Sequence, residues 1–172
     1  MARTVLTAIP FSHPHVHKSA LPKTAVDDSP GSSLLGLTTT LGAKLIGNAA
    51  SGNQKTDVCG FMVTVPEDWI VGSPIYLRAR CKQATTLLTV GTTVDMTAKL
   101  QGDDAVGSDL VTTSAQTITV TLANYQFKVP GGTLRKGDTL WCTLTLDAND
   151  TGGAVNTAAQ CTRLWALFAL ES

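Results

Sequence analysis

Three histidines, His13, His15 and His17, alternate near the start of the chain, and on a strand all three would share one face. Such a trio can ligate zinc, copper or nickel when a carboxylate or water completes the shell. Pro14 interrupts regular pairing between them and no acid precedes Asp27, so no metal centre is expected. Two acidic clusters, Asp103, Asp104 and Asp109, then Asp147, Asn149 and Asp150, lack the ordered spacing of a calcium loop and read as turn chemistry. The only glutamates are Glu67 and Glu171, and no nucleophile elbow or histidine–acid pairing is visible. The residues therefore predict neither an enzyme nor a cofactor.

Two other patterns point to binding. Arg78, Arg80 and Lys82 alternate through an apolar set and form a basic stripe on one strand face. A solvated surface accounts for it, and an acidic patch on a partner is the sharper reading. Phosphate recognition is weaker, because no aromatic interleaving or glycine-rich cradle accompanies the stripe. Of the three tryptophans, Trp165 lies in the apolar run CTRLWALFAL and is expected in the core, whereas Trp141 falls on the outward parity beside threonines. An outward tryptophan on a sheet marks a subunit interface, the favoured reading, or a flat platform for a sugar ring. Cys59, Cys81, Cys142 and Cys161 sit singly inside apolar runs, without the close pairs a zinc site requires. They read as buried free thiols, with one or two disulfides left open.

The elements that must position these residues follow from a period of two. Leu140, Cys142, Leu144 and Leu146 alternate with Thr139, Trp141, Thr143 and Thr145, which places the two sets on opposite faces of one strand. Lys136-Gly137-Asp138 before it is a tight turn, since glycine accepts positive φ and the aspartate can bond its own backbone. The same alternation predicts inward sets of Cys59, Phe61, Val63 and Val65, then Ile75, Leu77, Ala79 and Cys81, then Val94, Met96, Ala98 and Leu100. Further strands are expected over 37–45, 117–122 and 125–129, and Gly91 marks a bend in the long segment 87–101. Pro66-Glu67-Asp68-Trp69 reads as a single helical turn. CTRLWALFAL is apolar on both parities and reads as a strand covered on both faces. Helical periodicity is otherwise missing. The fold class is all-β: an antiparallel sandwich of about eight strands over residues 33–172, with a jelly roll favoured.

Residues 1–32 differ. Pro10, Pro14, Pro22 and Pro30 recur without periodic apolar spacing, which predicts an extended arm and not a packed element. The arm nevertheless carries Val5, Leu6, Ile9, Phe11 and Val16, more apolar side chains than a solvated tail usually holds. It is expected to lie on a neighbouring subunit or partner; the alternative is that it folds back over its own domain. Thirteen basic residues balance thirteen acidic ones in the 172, which argues against a nucleic-acid or membrane partner. No apolar run reaches the roughly 20 residues of a membrane span, and the first residues lack a signal-peptide core, so an intracellular product is expected. Charged residues are only 15% of the chain, which leaves a threonine-rich exterior suited to strands.

The stretch YQFKVPGGTLRKGDTLWCTLTL, a short aromatic strand followed by L-x-x-G-D-x-L, resembles the late strands of small viral jelly rolls. The resemblance is chiefly to the cement or decoration proteins of tailed-phage heads, and it is extended by the arm and the lightly charged surface. It implies a structural subunit on the capsid exterior, assembled in the host cytoplasm. Its partners would be the major capsid protein and copies of itself, as a homotrimer. Multivalent bracing by the arm would then hold the subunit in place. Val5, Leu6, Ile9, Phe11, Val16, Arg78, Arg80, Lys82 and Trp141 are the residues expected to make partner contacts. A small major capsid protein is a nearby alternative, although such proteins usually carry a strongly basic arm. The alternative outside that class is a carbohydrate- or receptor-binding sandwich with Trp141 and the loop acids at its site.

Overall fold

In a computed structural model of the chain, residues 3–8, 15–16, 33–38, 42–49, 54–83, 92–101, 106–149 and 157–171 are described. They form twelve strands and no helix: β1 (Arg3–Ala8), β2 (His15–Val16), β3 (Ser33–Thr38), β4 (Gly42–Ala49), β5 (Gln54–Thr64), β6 (Gly72–Gln83), β7 (Thr93–Gln101), β8 (Val106–Asp109), β9 (Gln116–Thr117), β10 (Ala123–Gly131), β11 (Thr139–Asn149) and β12 (Thr157–Leu170). The first sheet runs β10-β6-β12-β4-β3, with β1 also on β12; the second runs β2-β5-β11-β7-β8, with β9 also on β7. Every pairing is antiparallel.

If β8 and β9 are taken as two pieces of one strand, β4 to β12 make eight strands. The first then lies beside the eighth, the eighth beside the third and the third beside the sixth. In the other sheet the order is second, seventh, fourth, fifth. This is the interleaved double Greek key of a jelly roll. β1, β2 and β3 extend the two sheets at their edges.

The predicted inward sets meet between the sheets. Cys59, Ile75, Leu77, Ala79, Cys81, Val94, Ala98, Leu140, Cys142, Leu144 and Leu146 are all fully buried. Stacked sheets lie about 10 Å apart, so alternate side chains from both interdigitate into one layer. All four cysteines are free and buried. Burial, with Cys161 nearby, pushes the Cys59 thiol up to about 12. A hydrogen bond with Cys161, and then burial, raises Cys81. Burial, and then the charge of Asp109, raises Cys142. These groups stay protonated and inert as nucleophiles at neutral pH.

The predicted turn at Gly137 forms: its φ is 83°, and Asp138 Oδ2 accepts the Arg135 N–H at 2.7 Å. Gly137 N–H donates to the Val65 carbonyl and Val65 N–H to the Asp138 carbonyl, which ties the turn to the end of β5. The Pro66–Trp69 segment is a turn rather than a helix. Trp69 N–H donates to the Pro66 carbonyl, and Trp69 then bridges to Leu170 and is wholly buried at one end of the sandwich.

Three further expectations require correction. The run 37–45 is not one strand: β3 and β4 pair as a hairpin, with Leu37 opposite Ala43 and Thr38 opposite Gly42. Residues 118–122 leave the ladder because other partners take their backbone. Thr119 N–H donates to the Tyr125 hydroxyl and the Thr119 carbonyl accepts from Gln83, so only Ile118 stays buried while Val120 is exposed. The stretch 1–32 is not free of packed elements, since β1 pairs with β12 and β2 with β5. In β12 a bulge between Cys161 and Arg163 resets the parity, which a strand apolar on both parities leaves open. Cys161, Leu164, Ala166, Phe168 and Leu170 therefore face the core, and Trp165 is buried on the opposite face. The bend expected at Gly91 lies outside the described residues.

Candidate functional site

The second sheet presents its outward parity as an ordered grid. Cross-strand register places Met62, Trp141, Lys99 and Asp109 in one row and Gly60, Thr143 and Thr97 in the next. Val58, Thr145 and Asp95 make the third row, and Thr56, Asp147 and Thr93 the fourth. Directly opposed side chains in such a ladder stand about 5 Å apart, so each row is a line of neighbours.

Trp141 is half-buried, and its six-membered ring covers Gly60. A Cβ added at Gly60 would meet Trp141 Cζ2 at 2.8 Å. The glycine is therefore the floor on which the indole rests, and a larger residue would push it off. Met62 stands beside the indole with 54% of its surface exposed, a rare exposed large apolar side chain on this fold. The hydroxyls of Thr97 and Thr143 bond each other at 2.6 Å in the centre of the grid, and Thr56 donates to Asp147 at 3.2 Å. Asp109 Oδ1 accepts the Ala98 and Val111 N–H groups at 2.9 and 3.1 Å, which is turn chemistry rather than an ion site. Partial burial pushes the Asp95 carboxyl up, the Met96 N–H that it accepts offsets part of this, and the charge of Asp109 adds to the rise. No group of three or more histidines, cysteines or acids among the described residues could hold a metal.

The first sheet presents a different surface. The predicted stripe of Arg78, Arg80 and Lys82 does face outward on β6, but it is broader than its own strand reveals. Register brings Lys128 of β10 opposite Tyr76 on one side, and Arg163 and Trp165 of β12 opposite Arg80 and Arg78 on the other. Arg78 donates through Nε and Nη2 to Gln126 Oε1, and Arg163 lies over the Trp165 ring at 5.2 Å from its centre. Aromatic residues are thus interleaved with the cations, contrary to the reading from β6 alone. Tyr76 was visible in the β6 alternation, whereas Lys128 and Arg163 lie far away in sequence and only the pairing brings them in.

The other partner-contact residues are scattered. Val5 and Leu6 lie on β1 opposite Phe168 and Leu167, and Val16 lies on β2 opposite Cys59. Ile9 and Phe11 fall outside the described residues, as do Asp103, Asp104 and Asp150. Trp141 and the basic stripe, expected together as contact residues, occupy opposite faces of the sandwich.

No protein-family model and no curated protein matches this sequence. Several solved structures are similar in architecture. TmCBM61, solved in complex with β-1,4-galactotriose, aligns at 10% identity over 77% of this chain and 74% of that one, with a TM-score of 0.43. The xylan-binding domain CBM22-1 of Xyn10C from Paenibacillus barcinonensis aligns at 13% identity over 73% and 88% of the two chains, with a TM-score of 0.38. The enzymatically active domain of tailspike protein 4 from bacteriophage CBA120 aligns at 7% identity over 94% of this chain but 20% of its own, with a TM-score of 0.48. At these identities and TM-scores the likenesses carry no function over to this chain.

Proposed function

We propose that this chain is a non-catalytic glycan-binding β-sandwich whose platform is the outward face of the second sheet. The observation that carries the reading is Trp141, half-buried over Gly60 on a sheet face otherwise rich in threonine. A pyranose ring has a face of C–H groups that stacks on an indole and a rim of hydroxyls that needs paired donors and acceptors. Trp141 and Met62 supply the apolar contact, while Lys99, Asp95 and the threonine hydroxyls surround it with both kinds of partner. Placement on paired strands rather than on a loop keeps the platform rigid and lowers the ordering cost of binding.

The particle-bracing role that the resemblance implies depends chiefly on the arm, and no observation on the described residues favours it. Titration of the chain with a panel of neutral oligosaccharides, read by tryptophan fluorescence and calorimetry, tests the glycan reading. Trp69 and Trp165 are buried, so Trp141 is the tryptophan positioned to report. A saturable emission change that Trp141→Ala abolishes is expected. Absence of binding across the panel, or unchanged affinity in that variant, refutes the platform.

A further inference from the structure

The outward face of the first sheet holds a second surface that the glycan platform leaves unused. Arg78, Arg80 and Lys82 of β6, Lys128 of β10 and Arg163 of β12 share it. The other outward positions of these strands are Pro74, Tyr76, Asn124, Gln126, Pro130, Gln160, Trp165, Leu167 and Ala169, so no carboxylate stands among the described residues there. We propose that this face binds a carboxylate-bearing polysaccharide, a polymer of uronic-acid type.

The positive charge on this face is left uncompensated and is then held in place. Arg80 and Arg163 are directly opposed across β6 and β12, an arrangement of like charges that a sheet otherwise avoids. An anion seated between them removes the repulsion. Two of the guanidinium groups are already oriented: Arg78 by Gln126 Oε1 at 2.7 Å, and Arg163 by the Trp165 ring beneath it. Orientation before binding lowers the ordering cost of the complex. Three of the five cations are arginines, whose planar fork matches a carboxylate with two parallel bonds. Along β6 the alternate side chains repeat about every 6.6 Å, which makes a line of sites for a linear polyanion rather than one pocket.

Two other occupants fit less well. A single-stranded nucleic acid needs open aromatic faces for its bases. Here Trp165 is only 5% exposed beneath Arg163, which leaves Tyr76 alone. A second copy of the chain would have to offer the acids of its opposite face. Those acids, Asp109, Asp95 and Asp147, stand in three different rows of the second sheet and not in one line that would match the stripe of cations along β6.

The test is calorimetric titration of the full chain with polygalacturonate at low and moderate salt, beside the triple variant Arg80→Ser/Lys82→Ser/Lys128→Ser. Binding that weakens about tenfold or more on going from about 50 to about 300 mM salt, and by a similar factor in the triple variant with its melting temperature retained, is expected. If the triple variant fails to fold, Arg80→Ser and Lys128→Ser taken singly must each weaken binding. Neutral-oligosaccharide binding should be insensitive to salt and unchanged in the triple variant, which separates this face from the neutral-glycan platform. Absence of binding at low salt overturns the proposal. So does tighter binding of a thymidine oligonucleotide than of polygalacturonate, or salt-sensitive self-association by light scattering that the triple variant abolishes.

Discussion

The two outward faces of this sandwich are built on the same period of two, yet they differ in how their polar groups are satisfied. On the second sheet the acids and hydroxyls find partners within the face: Thr97 with Thr143, Thr56 with Asp147, and Asp109 with two backbone amides. On the first sheet five cations share a surface without one acid among the described residues, and two of them oppose each other directly. A net charge of zero conceals this separation, because five of the thirteen cations gather on the first sheet while Asp95, Asp109 and Asp147 stand on the second. Overall charge is therefore a poor guide to partners when a sandwich can divide it between two surfaces.

Substitutions can sharpen or break this contrast. Trp141→Ala removes the apolar centre of the satisfied face. It should weaken neutral-glycan binding by about 2 kcal/mol, roughly thirtyfold in Kd by calorimetry, with little effect on the opposite face. Next comes Gly60→Ala, whose new Cβ meets Trp141 at 2.8 Å and displaces the indole. A loss of about 1–2 kcal/mol in denaturant unfolding, with altered Trp141 emission, is expected; an unchanged spectrum would mean that the ring does not rest there.

Arg80→Glu turns a repulsive cross-strand pair into an attractive one opposite Arg163. It should raise stability by about 0.2–1 kcal/mol while reducing polyanion binding. A destabilised variant would show that the cations on this face are already neutralised in the free chain. The smallest effect belongs to Asp95→Asn. Because the folded Asp95 carboxyl titrates above its ordinary value, folding is disfavoured as pH rises through that window. The variant should be slightly more stable than the parent at pH 7, and the gap should narrow as pH falls through the carboxylate range. Melting curves across that range check the sign.

Much of the architecture was legible because alternation is a strong signal where one parity is buried. Leu140 to Leu146, Cys59 to Val65 and Ile75 to Cys81 all face the core as their spacing requires. The turn at Gly137 and the jelly-roll class were legible for the same local reasons. What escaped depends on pairing. The bulge in β12 has no sequence mark, since CTRLWALFAL is apolar on both parities and permits either register, so the burial of Trp165 was legible but its face was not. Trp141 was visible as an outward tryptophan, but nothing in the sequence says that Gly60 lies under it. Lys128 and Arg163 look like isolated surface charges until strand order places them beside Arg78 and Arg80.

The strand β12 has a consequence in time as well as in space. It fills the centre of the first sheet, with β6 along one edge and β4 and then β1 along the other, and Arg3 finds its partner only at Leu170. During synthesis β4 and β6 leave the ribosome well before the strand that must lie between them. The first sheet then has a strand-wide gap, bordered by the unpaired backbone N–H and C=O groups of β6, until residues near 170 have been made. Closure at so great a sequence separation is slow, because the loop entropy is lost before the contacts form. A nascent or truncated chain that lacks β12 should therefore engage chaperones or aggregate, even though the second sheet could already be paired.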